Sequence, residues 1–240
     1  MDDSERQIDD GLPLTQIRPT SVPTVADQVF DALQHQILTL KLAPCTKISE
    51  TDVAQKMGVS RQPVREAFKR LAKLGFLSIR PQSSTKVSLI SEKAVLRARF
   101  IRTALEIHTC RTACEKSTDV GINVLSNLIE KQRAAYDAQD RELFHLLDDQ
   151  FHREICNLAG VGYVWDLILE NKAHMDRVRM LTLDSSSQEF VLKEHVEIFK
   201  AISESDADAA AEAITKHLSR ILIHIEDIKS VNHKWFTDLA

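Results

Sequence analysis

Gly58-Val59-Ser60-Arg61-Gln62-Pro63-Val64-Arg65-Glu66-Ala67-Phe68-Lys69-Arg70-Leu71 is the stretch on which the reading of this chain turns. Ser60 is placed to cap a helix, and Pro63 is tolerated there because first-turn N–H groups lack intrahelical partners. Val64, Ala67, Phe68 and Leu71 then form one buried stripe, which leaves Arg61, Gln62, Arg65 and Lys69 facing outward. Working outward, Ser49-Glu50-Thr51-Asp52 announces a short helix that stops at Gly58. Before it, Val25, Val29, Leu33 and Ile37, with Phe30 and Leu40, repeat at helical spacing. After Gly75, Leu77 and Ile79 and then Val87 and Leu89 alternate with polar residues around Pro81-Gln82-Ser83-Ser84, the pattern of a two-stranded hairpin. Three helices and a hairpin over residues 22–90 predict a winged helix-turn-helix, preceded by a disordered arm at 1–21.

Charge follows the same division. Residues 22–89 carry 10 Lys+Arg against 5 Asp+Glu, whereas residues 90–240 carry 19 against 25. Such a basic module suits a polyanion, although a solvated Lys/Arg helix face would look the same by charge alone. An outward Arg can fork onto guanine and Gln can pair with adenine, while Lys69, Arg70 and Lys73, and Lys86 on the wing, are placed for phosphates.

The quoted run, with Leu74-Gly75-Phe76-Leu77, resembles the signature of GntR-type bacterial transcription regulators. The resemblance implies that Ser60, Arg61, Gln62 and Arg65 contact an operator and that the wing reaches the minor groove. Two departures stand out: Gln82-Ser83-Ser84-Thr85 lacks the usual wing glycine, and Leu42 and Cys45 stand where the family has glycines between the first two helices.

The rest of the chain reads as helical. Residues 91–116, 118–139, 140–159, 161–184, 186–204 and 206–230 each repeat apolar residues near the 3.6 period, so a six-to-seven-helix antiparallel bundle is expected, followed by a C-terminal tail at 231–240. Only 6 Gly and 6 Pro in 240 residues fit long helices with short connections. The 4 Cys show no CxxC pairing and read as reduced packing residues. No window is long and apolar enough for a bilayer, and the acidic start is unlike a secretory signal, so a cytoplasmic protein is expected.

Asp148 and His152 lie at i,i+4 beside the stripe Phe144, Leu147, Phe151 and Ile155, where two side chains can converge on one atom. His195 interrupts the stripe Leu192, Phe199 and Ile202, and His217 sits between Ile214 and Ile221. Taken one at a time, each histidine is more often a hydrogen-bonded core residue than a ligand. Imidazole and carboxylate together suit a divalent Zn, Ni, Mn or Fe ion. His174 and His224 are set aside, with His224 as a substitute for His217.

Residues 91–230 resemble the FCD effector domain of the FadR branch of GntR regulators, through Asp148-x-x-Phe151-His152, Glu194-His195 and His217-Leu218. That resemblance implies that Asp148, His152, His195 and His217 hold a metal. Arg102 has two readings. By spacing it forms an i,i+4 ion pair with Glu106; by resemblance it faces the ligand cavity and holds the carboxylate of a small organic acid effector. The usual Gly-Asn after the third bundle helix is Gly160-Val161 here.

The function expected is a repressor that binds a palindromic double-stranded operator as a homodimer, without membrane association, and is modulated by a carboxylate at a metal site. A metal-dependent enzyme with a winged-helix appendage is the alternative, weakened by the absence of HExxH or of a general base beside the metal residues. An interaction scaffold is a third class, and operator binding by the purified protein separates the regulator from both.

Overall fold

The computed structural model describes residues 23–79, 84–182 and 185–237. The N-terminal arm, Arg80 and the wing-tip pair Gln82-Ser83 lie outside them. Helix α1 (Val25–Leu38) begins on a full capping box, in which Thr24 Oγ1 accepts from the Asp27 N–H at 3.1 Å and Asp27 accepts from the Thr24 N–H at 2.9 Å. Strand β1 (Lys47–Ile48) precedes α2 (Glu50–Met57), which Ser49 caps by accepting from the Asp52 N–H at 3.0 Å. Gly58 ends α2 at φ +65°, the left-handed conformation that glycine adopts at little cost. Helix α3 (Arg61–Lys73) buries the expected stripe Val64, Ala67, Phe68 and Leu71.

The hairpin is β2 (Leu77–Ser78) against β3 (Thr85–Val87), antiparallel with Leu77 opposite Val87. The sheet has three strands rather than two, because β1 pairs with the other edge of β3. Two residues carry no alternation, so nothing in the sequence announces β1. The turn before it keeps a glycine-like geometry without glycine: Leu40 and Cys45 have φ +60° and +70°. An L-residue in that region costs on the order of 1 kcal/mol.

The second unit has seven helices among the described residues: α4 (Glu92–Lys116), α5 (Asp119–Asp137), α6 (Arg141–Leu158), α7 (Tyr163–Leu169), α8 (Ala173–Thr182), α9 (Ser185–Ser203) and α10 (Ala207–Val231). The expected single helix at 161–184 is two. Val164, Trp165 and Ile168 of α7 pack with Cys156, whereas Met175 and Val178 of α8 enter the main bundle core, so the chain must turn between them. No described helix is long and apolar enough to cross a membrane.

The winged helix and the bundle have separate cores, and α8 belongs to both: Ala173 is buried with Phe68 and Leu71, and Val178 with the bundle. The linker strand β4 (Ile90–Ser91) pairs in parallel with β5 (Phe236–Thr237). Part of the expected tail is therefore folded back, with Phe236 buried in the bundle core.

Candidate metal centre and nucleic-acid interface

Helix α6 brings Asp148 and His152 to the middle of the bundle, α9 brings His195 and α10 brings His217. All four are buried, and one potential ligand atom from each lies within 4.8 Å of the others. Five helices supply these residues and the groups behind the imidazoles. Glu106 on α4 lies 2.7 Å from His152 Nδ1. Gln132 on α5 donates from Nε2 to the Leu147 carbonyl at 3.2 Å, which turns its Oε1 toward His195 Nδ1 at 2.7 Å. Glu194 lies 3.1 Å from His217 Nδ1 and is gripped by Arg220. Acceptors on the Nδ1 side of His195 and His217 select the tautomer in which Nε2 carries the lone pair, the arrangement that outer partners impose on metal-binding histidines; Glu106 stands close to His152 Nδ1 without the geometry of a hydrogen bond.

Several atoms that face inward make no hydrogen bond, although His195 Nε2 stands 3.4 Å from Asp148 Oδ1. His152 Nε2, His195 Nε2 and Asp148 Oδ2 are buried without a hydrogen bond among the described residues. Leaving such groups unmade costs about 1–3 kcal/mol each, so acceptors that converge in this way call for a cation. Burial pushes His195 well below its ordinary value and His217 down to about 4, so both are neutral and able to ligate. Burial raises Asp148, yet the Arg179 guanidinium on α8 holds it well below the usual carboxylate range. The donor set of one carboxylate and three imidazoles fits a divalent transition metal. A second group, His145, Asp148 and Asp149, shares Asp148, but Arg179 and Lys172 already bring positive charge to its carboxylates.

Arg102 combines its two readings. Its Nε donates to Glu106 Oε1 at 2.5 Å, the i,i+4 pair that spacing predicts, while Nη1 and Nη2 are buried with no partner among the described residues. Glu106 thus joins Arg102 to His152. Burial opposes both charges, yet the pair stays ionised, with Glu106 lowered and Arg102 raised. Cys110, Cys114 and Cys156 are buried free thiols outside the centre, and burial raises all three. The side chain of His224 lies outside the described residues.

On the winged helix, Ser60, Arg61, Gln62, Arg65 and Lys69 are exposed along the start of α3, and Ser60 makes no capping bond with its side chain. Arg65 is held by Glu50 of α2, with Nη2–Oε2 at 3.1 Å, and Arg61 reaches the same carboxylate at 3.4 Å. Two further basic residues read as phosphate contacts are committed elsewhere. Arg70 pairs with Asp27 at 2.7 Å and lies over Phe30, and Lys73 pairs with Glu170 of the bundle at 2.8 Å. Lys86 is exposed on β3 directly opposite Lys47 of β1. Like charges facing each other across strands destabilise unless an anion lies over them, so Lys47 joins the candidate face. Its signal, a lone Lys after a turn, became legible only once β1 was known to pair with β3.

Residues 25–87 match the gntR family of bacterial regulatory proteins and residues 98–220 match the FCD domain. The chain is 37% identical over 225 residues to the HTH-type transcriptional repressor RspR of Escherichia coli K12, covering 93% of this chain and 98% of that protein. It is 29% identical over 201 residues to a probable D-xylose utilization operon transcriptional repressor of Paenarthrobacter nicotinovorans, covering 83% and 88%. The solved structure of E. coli McbR/YncC shares the fold, with a TM-score of 0.74 at 20% identity over 85% of this chain and 98% of that one.

Proposed function

This chain belongs to the GntR family of bacterial regulatory proteins, with an FCD domain as its second unit, and is a DNA-binding transcription regulator rather than an enzyme; from that premise we propose that it is a metal-holding cytoplasmic repressor whose hold on its operator is set by a small carboxylate. Repression is carried over from the two relatives named as repressors. The observation that carries the carboxylate is the buried, unpaired Nη1 and Nη2 of Arg102, linked through Glu106 to His152. A guanidinium fork matches a carboxylate with two parallel hydrogen bonds. Asp148, His152, His195 and His217 would hold the metal, which when bound supplies a Lewis-acidic positive centre for a ligand oxygen.

Operator contact is assigned to Ser60, Arg61, Gln62 and Arg65 for bases and to Lys69, Lys86 and Lys47 for phosphates. Glu50 keeps Arg65 ordered in the free protein and releases it to a base. The homodimer is assigned to the antiparallel α4–α10 pair, tied by Glu92–Lys229 at 2.8 Å and Arg99–Ser219 at 2.9 Å. At the level of these ties Leu96, Phe100, Leu222 and Ile223 are exposed, Phe100 by 73%. Two copies related by symmetry present two α3 helices to the halves of a palindrome.

Coupling between the sites runs through elements shared by both units. Asp148 is held by Arg179 on α8, and His174 on the same helix accepts the Ser91 N–H at 3.1 Å in the linker. The test is calorimetric titration of candidate organic acids into the metal-loaded protein with and without operator. Linkage requires any effect to be reciprocal, so effector affinity should differ about 5–150-fold between the two titrations. R102M should weaken the effector at least tenfold and leave effector-free operator binding intact. Equal affinities with and without operator reject the regulation, and an unchanged R102M rejects the site.

A further inference from the structure

We propose that Arg177 is the receptor for a second small oxyanion, a carboxylate or inorganic phosphate, bound at the junction of the winged helix and the bundle. No donor of its guanidinium is paired, whereas every other buried cation among the described residues has a carboxylate. Four Lys/Arg side chains are buried among the described residues: Arg102, Lys172, Arg177 and Arg179. Arg102 has Glu106, Lys172 has Asp149 and Asp176, and Arg179 has Asp148. Arg177 is fully buried, and its Nε, Nη1 and Nη2 have no hydrogen-bond partner among the described residues.

Its position is set by α8. Ala173, one turn earlier on the same face, is packed in the winged-helix core. His174 accepts the Ser91 N–H, and a Cβ on Gly75 at the end of α3 would stand 3.0 Å from its Nε2. The first turn of α8 is therefore wedged between α3 and the linker, and Arg177 continues that wedge. Burial lowers Arg177 to about 10, so at neutral pH it remains a whole charge. The groups around it do not neutralise it. His174 is pushed down to about 4 by burial and by Arg177 itself, so it is neutral, and Cys45 is a free thiol. A buried unpaired guanidinium is among the costliest arrangements in a folded chain. An oxyanion supplies what is missing, with two oxygens for the fork.

The enclosed position ties binding to docking. Exposed polar contacts, His35–Glu142 at 3.3 Å, Lys41–Glu142 at 3.7 Å and Lys73–Glu170 at 2.8 Å, hold the winged helix against the bundle, and such contacts are weak. The anion enters as the junction opens and braces it on closing. This site is separate from Arg102 and does not depend on the reading of that residue.

The experiment is calorimetric titration with inorganic phosphate and, in a second arm, acetate, at constant ionic strength, on the metal-loaded full chain, R102M and R177M. At least one anion should give a saturable event that survives in R102M and is at least tenfold weaker in R177M. The arm that responds identifies the source. R177Q, which keeps a polar tip without the charge, should lose the event too and serves if R177M does not fold. Without added anion, R177M or R177Q should melt no lower than the parent, because each removes an uncompensated buried charge. An event retained in the folded Arg177 variants, or no saturable event in R102M with either anion, overturns the proposal.

Discussion

The start of α3 and the centre of the bundle both place charged groups where a ligand is proposed, yet they do so under opposite conditions. Arg61, Gln62, Arg65 and Lys69 stand in water, where an absent partner costs nothing and a nearby Glu50 can fill in. Asp148, His152, His195 and Arg102 are buried, where an absent partner is a standing penalty. The exposed face therefore declares its ligand through sign of charge and spacing. The buried centre declares its ligand through which atoms are left unsatisfied: acceptors for a cation, guanidinium donors for an anion.

The largest effect is expected at the buried centre. H152A/H195A should abolish stoichiometric metal by elemental analysis and remove the gap in melting temperature between metal-loaded and chelated protein. At about 100 times the dissociation constant that gap is about 5–10 °C for a chain of this size. Metal retained by the double variant would break the contrast at its root.

At the exposed face the expected loss is smaller and of another kind. R65A should weaken cognate operator roughly tenfold or more and relax discrimination at its base, with metal content unchanged. K69A should lower the slope of log affinity against log salt by about 0.9, the loss of one phosphate contact. K73A should leave that slope nearly unaltered, because Lys73 is already paired with Glu170. A slope that fell equally in both variants would show that the Lys73 pair opens on DNA.

The junction between the two regions gives a pH signature. His174 titrates near 6.5 in the unfolded chain and near 4 in the folded one. Its contribution to stability is complete above about 6.5 and is lost as pH falls toward 4, since only the unfolded chain takes up the proton in that window. Melting followed from pH 7 to 4 should therefore fall less steeply in H174Q than in the parent; parallel curves would place His174 outside the buried junction.

The smallest effect belongs to the strained turn. C45G should relieve the +70° φ at a residue type that resists it, raising the melting temperature by about 2–4 °C if the full cost of about 1 kcal/mol is recovered. No change would mean that glycine's greater freedom in the unfolded chain offsets the relief.

The sequence by itself determined the winged helix, because its signals are local. Ser49 and Thr24 cap within three residues, Gly58 stops a helix at one residue, and the α3 stripe lies within one element. The candidate ligand set was legible on single helices only as the pair Asp148 and His152; adding His195 and His217 took the family resemblance. Tertiary structure alone decided the third strand β1, the break between α7 and α8 and the return of Phe236 to the core. It also decided the partners Glu106, Gln132, Arg179 and Arg220 around the ligands, along with the solitary state of Arg177. Each of these depends on residues brought together from distant segments, and periodicity records which face of a helix is buried but not which face of another helix it meets. Whether a buried charge is compensated is a property of that meeting, and no single segment of sequence contains it.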